Sequence, residues 1–369
     1  GTATALTREQ RLARSYQLVR DLDLGPLGNF EPIGDCGPTG NCMRALGEFG
    51  FAGVFDGQGH SIRALRIDLP ERGGVGLFGV LGESGVVMNL KLVDARVNGR
   101  AGAGALVGSN FGVVYRCESD GEVTAAMALG GLVGGSGGLV YGSRSAGRVT
   151  GQQAVGGLVG DMTGAVFASA SEAEVSGERG IGGLVGLNTF GAIDNSRAAG
   201  PVSGKNDVGG LVGVNTDARV RGSAASGAVA GSGNNVGGLA GFNSLSTVRN
   251  SYATGEVSGS DAVGGLVGRN NGEVARSFAT GAARAGGSSG ELIGAVVEGS
   301  EKQLLAGDAA RDAAQASAWS PAELPVTDLL DYFCDRNENG YIDPEERAAD
   351  NYVWRLSAGE YPALNCLNR

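Results

Sequence analysis

A five-residue phrase, G-G-L-V-G or a close variant, returns along the middle of the chain every 26 to 29 residues and fixes what the chain can become. Its leucine stands at Leu77, Leu106, Leu132, Leu158, Leu184, Leu211, Leu239, Leu266 and, in a degenerate last copy, Leu292. A constant period means one small unit stacked on copies of itself, each burying its apolar face against its neighbours. Every copy divides into three short apolar pieces separated by turns; after Gly209 they read G-L-V-G-V-N, A-R-V-R-G-S and G-A-V-A-G. Three strands in about 27 residues is the perimeter of one coil of a right-handed parallel β-helix, whose equivalent residues stack about 4.8 Å apart. The expected fold is all-β, a solenoid of about nine to ten coils.

Composition agrees with that architecture. Sixty-nine of the 369 residues are glycine, but without a G-X-Y period and with only nine prolines, which excludes collagen. Glycines interleaved with Leu–Val pairs mark turns between buried strands rather than disorder. The net charge of -10 and isoelectric point near 4.8 disfavour nucleic acid and anionic membrane surfaces as partners. No apolar run approaches the roughly 20 residues of a membrane span.

Two polar columns accompany the apolar ones. Asn110, Asn188, Asn215, Asn243 and Asn270 recur at the second position after the phrase, with Ser136 or Gly135 and then Asp161 breaking the series. Stacked amides in a turn can bond from rung to rung. Ser143, Ser169, Ser196, Ser223, Ser251 and Ser277 form the second column, and a small inward hydroxyl bonding to backbone explains them. Counting three on from Val114 places Cys117 in the serine column, as an inert core thiol.

The ends read differently. Residues 7 to about 20 begin Thr-x-x-Gln and place Leu12, Tyr16 and Leu18 or Val19 at helical spacing, which predicts a short helix. The expected division is an N-terminal helical cap over 1–22, the β-helix over 23–299 and a C-terminal cap over 300–369. Cys36 and Cys42 bracket one tight segment, Cys334 and Cys366 another, which reads as two disulfides and an exported, extracellular or cell-surface protein. On the loop-entropy estimate the longer bridge contributes about 3 to 4 kcal/mol. No signal-peptide pattern stands at Gly1, and nothing about export follows from that.

Residues 335–346, D-R-N-E-N-G-Y-I-D-P-E-E, match the twelve-residue EF-hand calcium loop. Asp335, Asn337 and Asn339 would supply side-chain oxygens, Gly340 the sharp turn, Tyr341 a backbone carbonyl, Asp343 a direct or water-mediated contact and Glu346 a bidentate carboxylate. A single loop between Cys334 and Cys366 suits a calcium-stabilised cap rather than a sensor. Two neutral Asn ligands suit millimolar extracellular calcium.

Catalysis is poorly supported. His60 is the single histidine, so no H-E-x-x-H zinc site exists, and its place in F-D-G-Q-G-H-S-I suits a hydrogen-bonded turn. Asp56, Asp94, Asp161, Asp194, Asp207 and Asp217 share no single rung position, as paired catalytic carboxylates would require. Only Thr254 and Thr280 stack in A-T-G positions, too short a ladder for ice binding.

The repeats, G-G-L-V-G-x-N then V-x-x-S then A-x-G-x-V-x-G, resemble the GLUG motif of bacterial exported and cell-surface proteins. F-D-G-Q-G-H-S-I-R-A-L and the closing W-R-L-S-A-G-E-Y-P-A-L resemble segments found at the two ends of such proteins. The likeness covers roughly residues 16 to 299 and the last twenty. It implies a surface, adhesive or matrix role for a stiff solenoid, one variant being a filament subunit, and supplies no catalytic residues. Expected partners are other copies of the chain, another surface or matrix component, or glycans. The competing class is a β-helix that binds or cleaves polysaccharide.

Overall fold

The structure, a computed structural model, describes residues 6–37, 40, 42 and 49–297, together with the backbone of the strands Lys302–Ala306, Trp354–Arg355 and Ala363–Leu364. It is a parallel β-solenoid of the right-handed type with about nine turns. Phe78, Val107, Val133, Val159, Val185, Val212, Ala240, Val267 and Ile293 stack as one column, each paired in parallel with the residue one coil on.

A coil carries up to five strands rather than the three apolar pieces. One turn runs through Val185–Thr189, Ala192–Asp194, Arg197–Ala198, Val202–Gly204 and Asn206–Gly209. Arg197–Ala198 is two residues long and Asn206–Gly209 holds one large apolar side chain, so neither has a hydrophobic signature. Both form because their backbones meet equivalent backbones on adjacent coils, whatever their side chains.

Inside, Leu106, Leu132, Leu158, Leu184, Leu211, Leu239 and Leu266 are fully buried, each contributing about 1.5 to 3 kcal/mol. The phrase around each leucine is dictated by how closely the coils approach. A Cβ on Gly156 would lie 2.7 Å from the Gly186 nitrogen, one on Gly157 would strike the Gly183 oxygen, and one on Gly160 would lie 2.7 Å from the Gly134 oxygen.

Both polar columns are buried and bonded along the axis. Asn188, Asn215, Asn243 and Asn270 form a chain of amides, each Nδ2 donating to the next Oδ1 at 2.8, 2.9 and 2.8 Å. Asn110 donates to Ser136 Oγ at 3.0 Å. The interruption is Met162, not Asp161: the register aligns Ser136, Met162 and Asn188, while Asp161 aligns with Gly135 and Leu187. Burial raises the Asp161 carboxyl above its ordinary pKa. Each serine hydroxyl accepts from a backbone N–H one coil earlier and donates to the carbonyl two residues before it, as Ser196 does for Ser169 at 3.1 Å and to Asp194 at 2.8 Å.

The first helix spans only Arg8–Leu12, closed by a reciprocal Thr7–Gln10 capping box. It does not continue toward residue 20, because the Leu12 carbonyl accepts from Ala52 and Gly53 and Tyr16–Gln17 already pairs as a strand with Phe55 and Asp56. Of the two alternatives for the apolar face, Leu18 is buried and Val19 is 74% exposed. Among the described residues no helix is long and apolar enough to cross a membrane.

Replacing Gly213 by alanine is expected to cost about 3 kcal/mol or more, since the new Cβ would meet the Ile181 nitrogen and lie 2.7 Å from the Gly186 oxygen. Gly135→Ala, whose nearest neighbour is the Asp161 oxygen at 4.0 Å, should stay within about 0.5 kcal/mol. Denaturant unfolding of the two variants checks the contrast.

Candidate functional site

The Asn and Ser columns are absorbed by the ladders, and the distinctive surface lies where the repeat changes. It changes between the column that begins at Asn110 and the strand after it. Two residues lie between Asn110 and Val113, Ser136 and Leu139, and Met162 and Ala165, whereas three lie between Asn188 and Ala192, Asn215 and Arg219, and Asn243 and Thr247. The extra residue makes a protruding turn on three consecutive coils, and its tip is Phe190, Asp217 and Leu245, with φ of 61°, 49° and 52°. Phe190 and Leu245 are 72% and 67% exposed. They are also the two bulky apolar residues with left-handed backbone among the described residues, a conformation costing about 1 to 2 kcal/mol without a glycine.

Directly beside these tips the register stacks Ala192, Arg219, Thr247 and Glu273 in one column and Asp194, Arg221, Arg249 and Ala275 in the next. Asp194 is buried and pairs with Arg219 at 2.9 Å and Arg221 at 3.4 Å. Arg249 binds Glu273 in a two-pronged pair, Nε to Oε1 at 3.0 Å and Nη2 to Oε2 at 2.9 Å. Arg219 remains 55% exposed while tied at one end. Asp194 Oδ1 finds no hydrogen-bond partner within the protein.

Upstream in the second column Tyr115, Tyr141 and Phe167 stack at 5.3 and 5.4 Å. Their faces cover one another and only edges remain, so these rings consolidate the stack and offer no flat platform. Phe190, by contrast, projects alone. Sequence reasoning missed this face; its signal was R-V-R at 219–221, Arg249 one period on, and the 27- and 28-residue spacings that betray the insertion.

The residues singled out from the sequence lie elsewhere. Cys36 and Cys42 are joined by a disulfide. The calcium loop residues Asp335, Asn337, Asn339, Tyr341, Asp343 and Glu346, and the pair Cys334 and Cys366, lie outside the described residues. His60 Nδ1 sits 3.3 Å from Asp21 Oδ1, and Asp21 accepts from the Ser61 amide at 2.8 Å. That amide, with a smaller share from His60, holds the Asp21 carboxyl below its usual range. Asp56 and Asp194 share a column but stand five coils apart, with Met88, Tyr115, Tyr141 and Phe167 between them, and among the described residues no group of three His, Cys, Asp or Glu is placed to hold a metal. A cavity of about 380 Å³ opens beside the N-terminal helix, walled by Leu12, Tyr16, Ile33, Phe51, Phe55 and Phe78.

Residues 204–230 and 232–258 match the family described as the GLUG motif, so the resemblance read from the repeated phrase holds over those two coils. No curated protein and no solved structure matches the chain.

Cys117 heads the serine column, its amide donating to Ser143 Oγ at 3.1 Å and its thiol to the Tyr115 and Val87 carbonyls at 3.5 Å. It is fully buried, and desolvation pushes the thiol from 9.0 up to about 12. The folded protein should therefore resist alkylation of Cys117 at pH 8 and react once denatured, read by mass spectrometry. Because the folded pKa lies above the unfolded one, this group's contribution to stability is complete below pH 9.0 and drains away as pH rises toward about 12. Cys117→Ser should lack that alkaline component.

Proposed function

We propose that the chain is a non-enzymatic exported surface, adhesive or matrix protein of bacterial type, in which the solenoid serves as a stiff scaffold held out from, or between, surface components. The observation that carries this reading is the use of repeated polar residues as architecture: the Asn and Ser columns are buried and bonded along the axis, so the most regular polar repeats hold the coils together. The disulfide between Cys36 and Cys42 fits an oxidising, extracellular setting.

In this reading the helix near the N-terminus and the segment beyond residue 300 close the stack, and the donor set of Asp335, Asn337, Asn339, Asp343 and Glu346 binds calcium to order the C-terminal closure. Lateral or end-to-end association of such rods would give a filament. A second reading, a polysaccharide-binding solenoid, is favoured by the convergence of Phe190, Asp217, Arg219, Arg221 and Arg249 on three neighbouring coils. Asp194 is engaged as the counter-ion of two arginines, which suits binding better than cleavage.

Electron microscopy of the purified protein with and without calcium tests the scaffold reading. Rods or fibres are expected, and calcium removal should lower the melting temperature and open the C-terminal region to protease. Compact particles, or melting and proteolysis indifferent to a chelator, would overturn the scaffold or the calcium closure respectively.

A further inference from the structure

We propose that the face formed by Phe190, Asp217, Leu245, Arg219, Arg221 and Arg249 is a binding site for an acidic glycan, a linear sugar polymer bearing carboxylate or sulfate groups, lying along the solenoid axis. This deepens the polysaccharide reading and rests on it; the scaffold role stands or falls separately.

Three independent features meet there. First, the chain has net charge -10, yet Arg219, Arg221 and Arg249 gather on neighbouring coils beside the tips, and Arg219 stays 55% exposed. Arg221 and Arg249 are stacked in register one coil apart, an arrangement of like charges that disfavours the sheet. Asp194 and Glu273 offset that repulsion within the protein, and an anion along the column would add to them. Second, the guanidinium groups are held in place before any ligand arrives, Arg219 and Arg221 by the buried Asp194, and Arg249 by Glu273. Ordering long side chains in advance lowers the entropy lost on binding. Third, the one-residue insertions leave two large apolar side chains, Phe190 and Leu245, 72% and 67% exposed two coils apart, where core burial does not account for them.

The ligand's chemistry follows from the mixture. An acidic sugar offers an anion to Arg219, hydroxyl donors to the exposed carboxylate of Asp217, and apolar C–H faces to Phe190 and Leu245. Phe190 and Leu245 stand two rungs apart, about 10 Å along the axis. A linear polymer parallel to the axis meets them in succession.

The test is titration of the full chain with polygalacturonate, dextran sulfate and neutral dextran at low salt. Binding to an acidic polymer and not to neutral dextran is expected, weakening as salt rises. The preference between the first two separates carboxylate from sulfate recognition. Phe190→Ala, at an exposed tip, should weaken binding about tenfold without changing the melting temperature, and Arg219→Gln should weaken it about as much, with Arg221 left as the partner of Asp194. Arg148→Gln, on a different strand of the coil, should leave it intact. Absence of binding to either acidic polymer, or binding indifferent to Arg219→Gln and Phe190→Ala, would overturn the proposal. So would concentration-dependent self-association abolished by Arg219→Gln, which would assign this face to a second copy of the chain.

Discussion

Everything in this molecule depends on the parallel, in-register backbone pairing that sets each residue on its equivalent one coil away. With the rise fixed at about 4.8 Å, a position is tolerable only if its side chain can stand next to a copy of itself. Leucine and valine satisfy this by burial. Asparagine does so because an amide is donor and acceptor at once, and serine because its hydroxyl can accept from one neighbour and donate to another. Glycine is required wherever backbones of adjacent coils come within reach of a Cβ, as at Gly156 and Gly160.

The two polar columns tolerate interruption differently, for reasons of donor and acceptor supply. In the serine column the hydroxyl accepts from the coil before it, and at the first rung a sulfur meets the backbone of Leu90 in that place. Cys117 stands there, donating weakly through sulfur while Ser143 still accepts its amide. The asparagine column carries its donors in one direction, each Nδ2 reaching toward the C-terminal end. Met162 supplies no donor to the rung below, and Asn188 Oδ1 is accordingly left without a partner in the protein. A buried unsatisfied acceptor costs about 1 to 3 kcal/mol, offset here by the apolar burial of Met162.

The coil was legible in the sequence for the same reason that it is stable: stacking repeats each positional requirement, so the period, the buried leucines, the polar columns and the place of Cys117 all surface as recurring letters. Features that occur once are poorly legible. Leu12, Tyr16 and Leu18 or Val19 have helical spacing, but a spacing cannot show that the edge of the first coil captures the Leu12 carbonyl and ends the helix. Asp161 rather than Met162 looked like the ladder residue because a one-residue slip moves a side chain to the other face of a strand. The arginine face was the least legible part, since Arg219 and Glu273 share a column only after the inserted residue has been counted.

That insertion separates what holds the fold from what is exposed on it. Adding a residue inside a strand would slip the register and turn buried side chains outward over every later coil. Added at the turn after the asparagine column, it leaves Asn188, Asn215 and Asn243 in their ladder and Ile193, Val220 and Val248 in the core. Its whole effect falls on the surface, where it pushes out Phe190, Asp217 and Leu245 beside the arginines. A stack of identical coils presents the same face at every rung and so has no preferred place for a partner. Three modified coils in succession break that sameness, and they do so where Asp194 already fixes two guanidinium groups, which is where selectivity can be built without disturbing the ladders beneath.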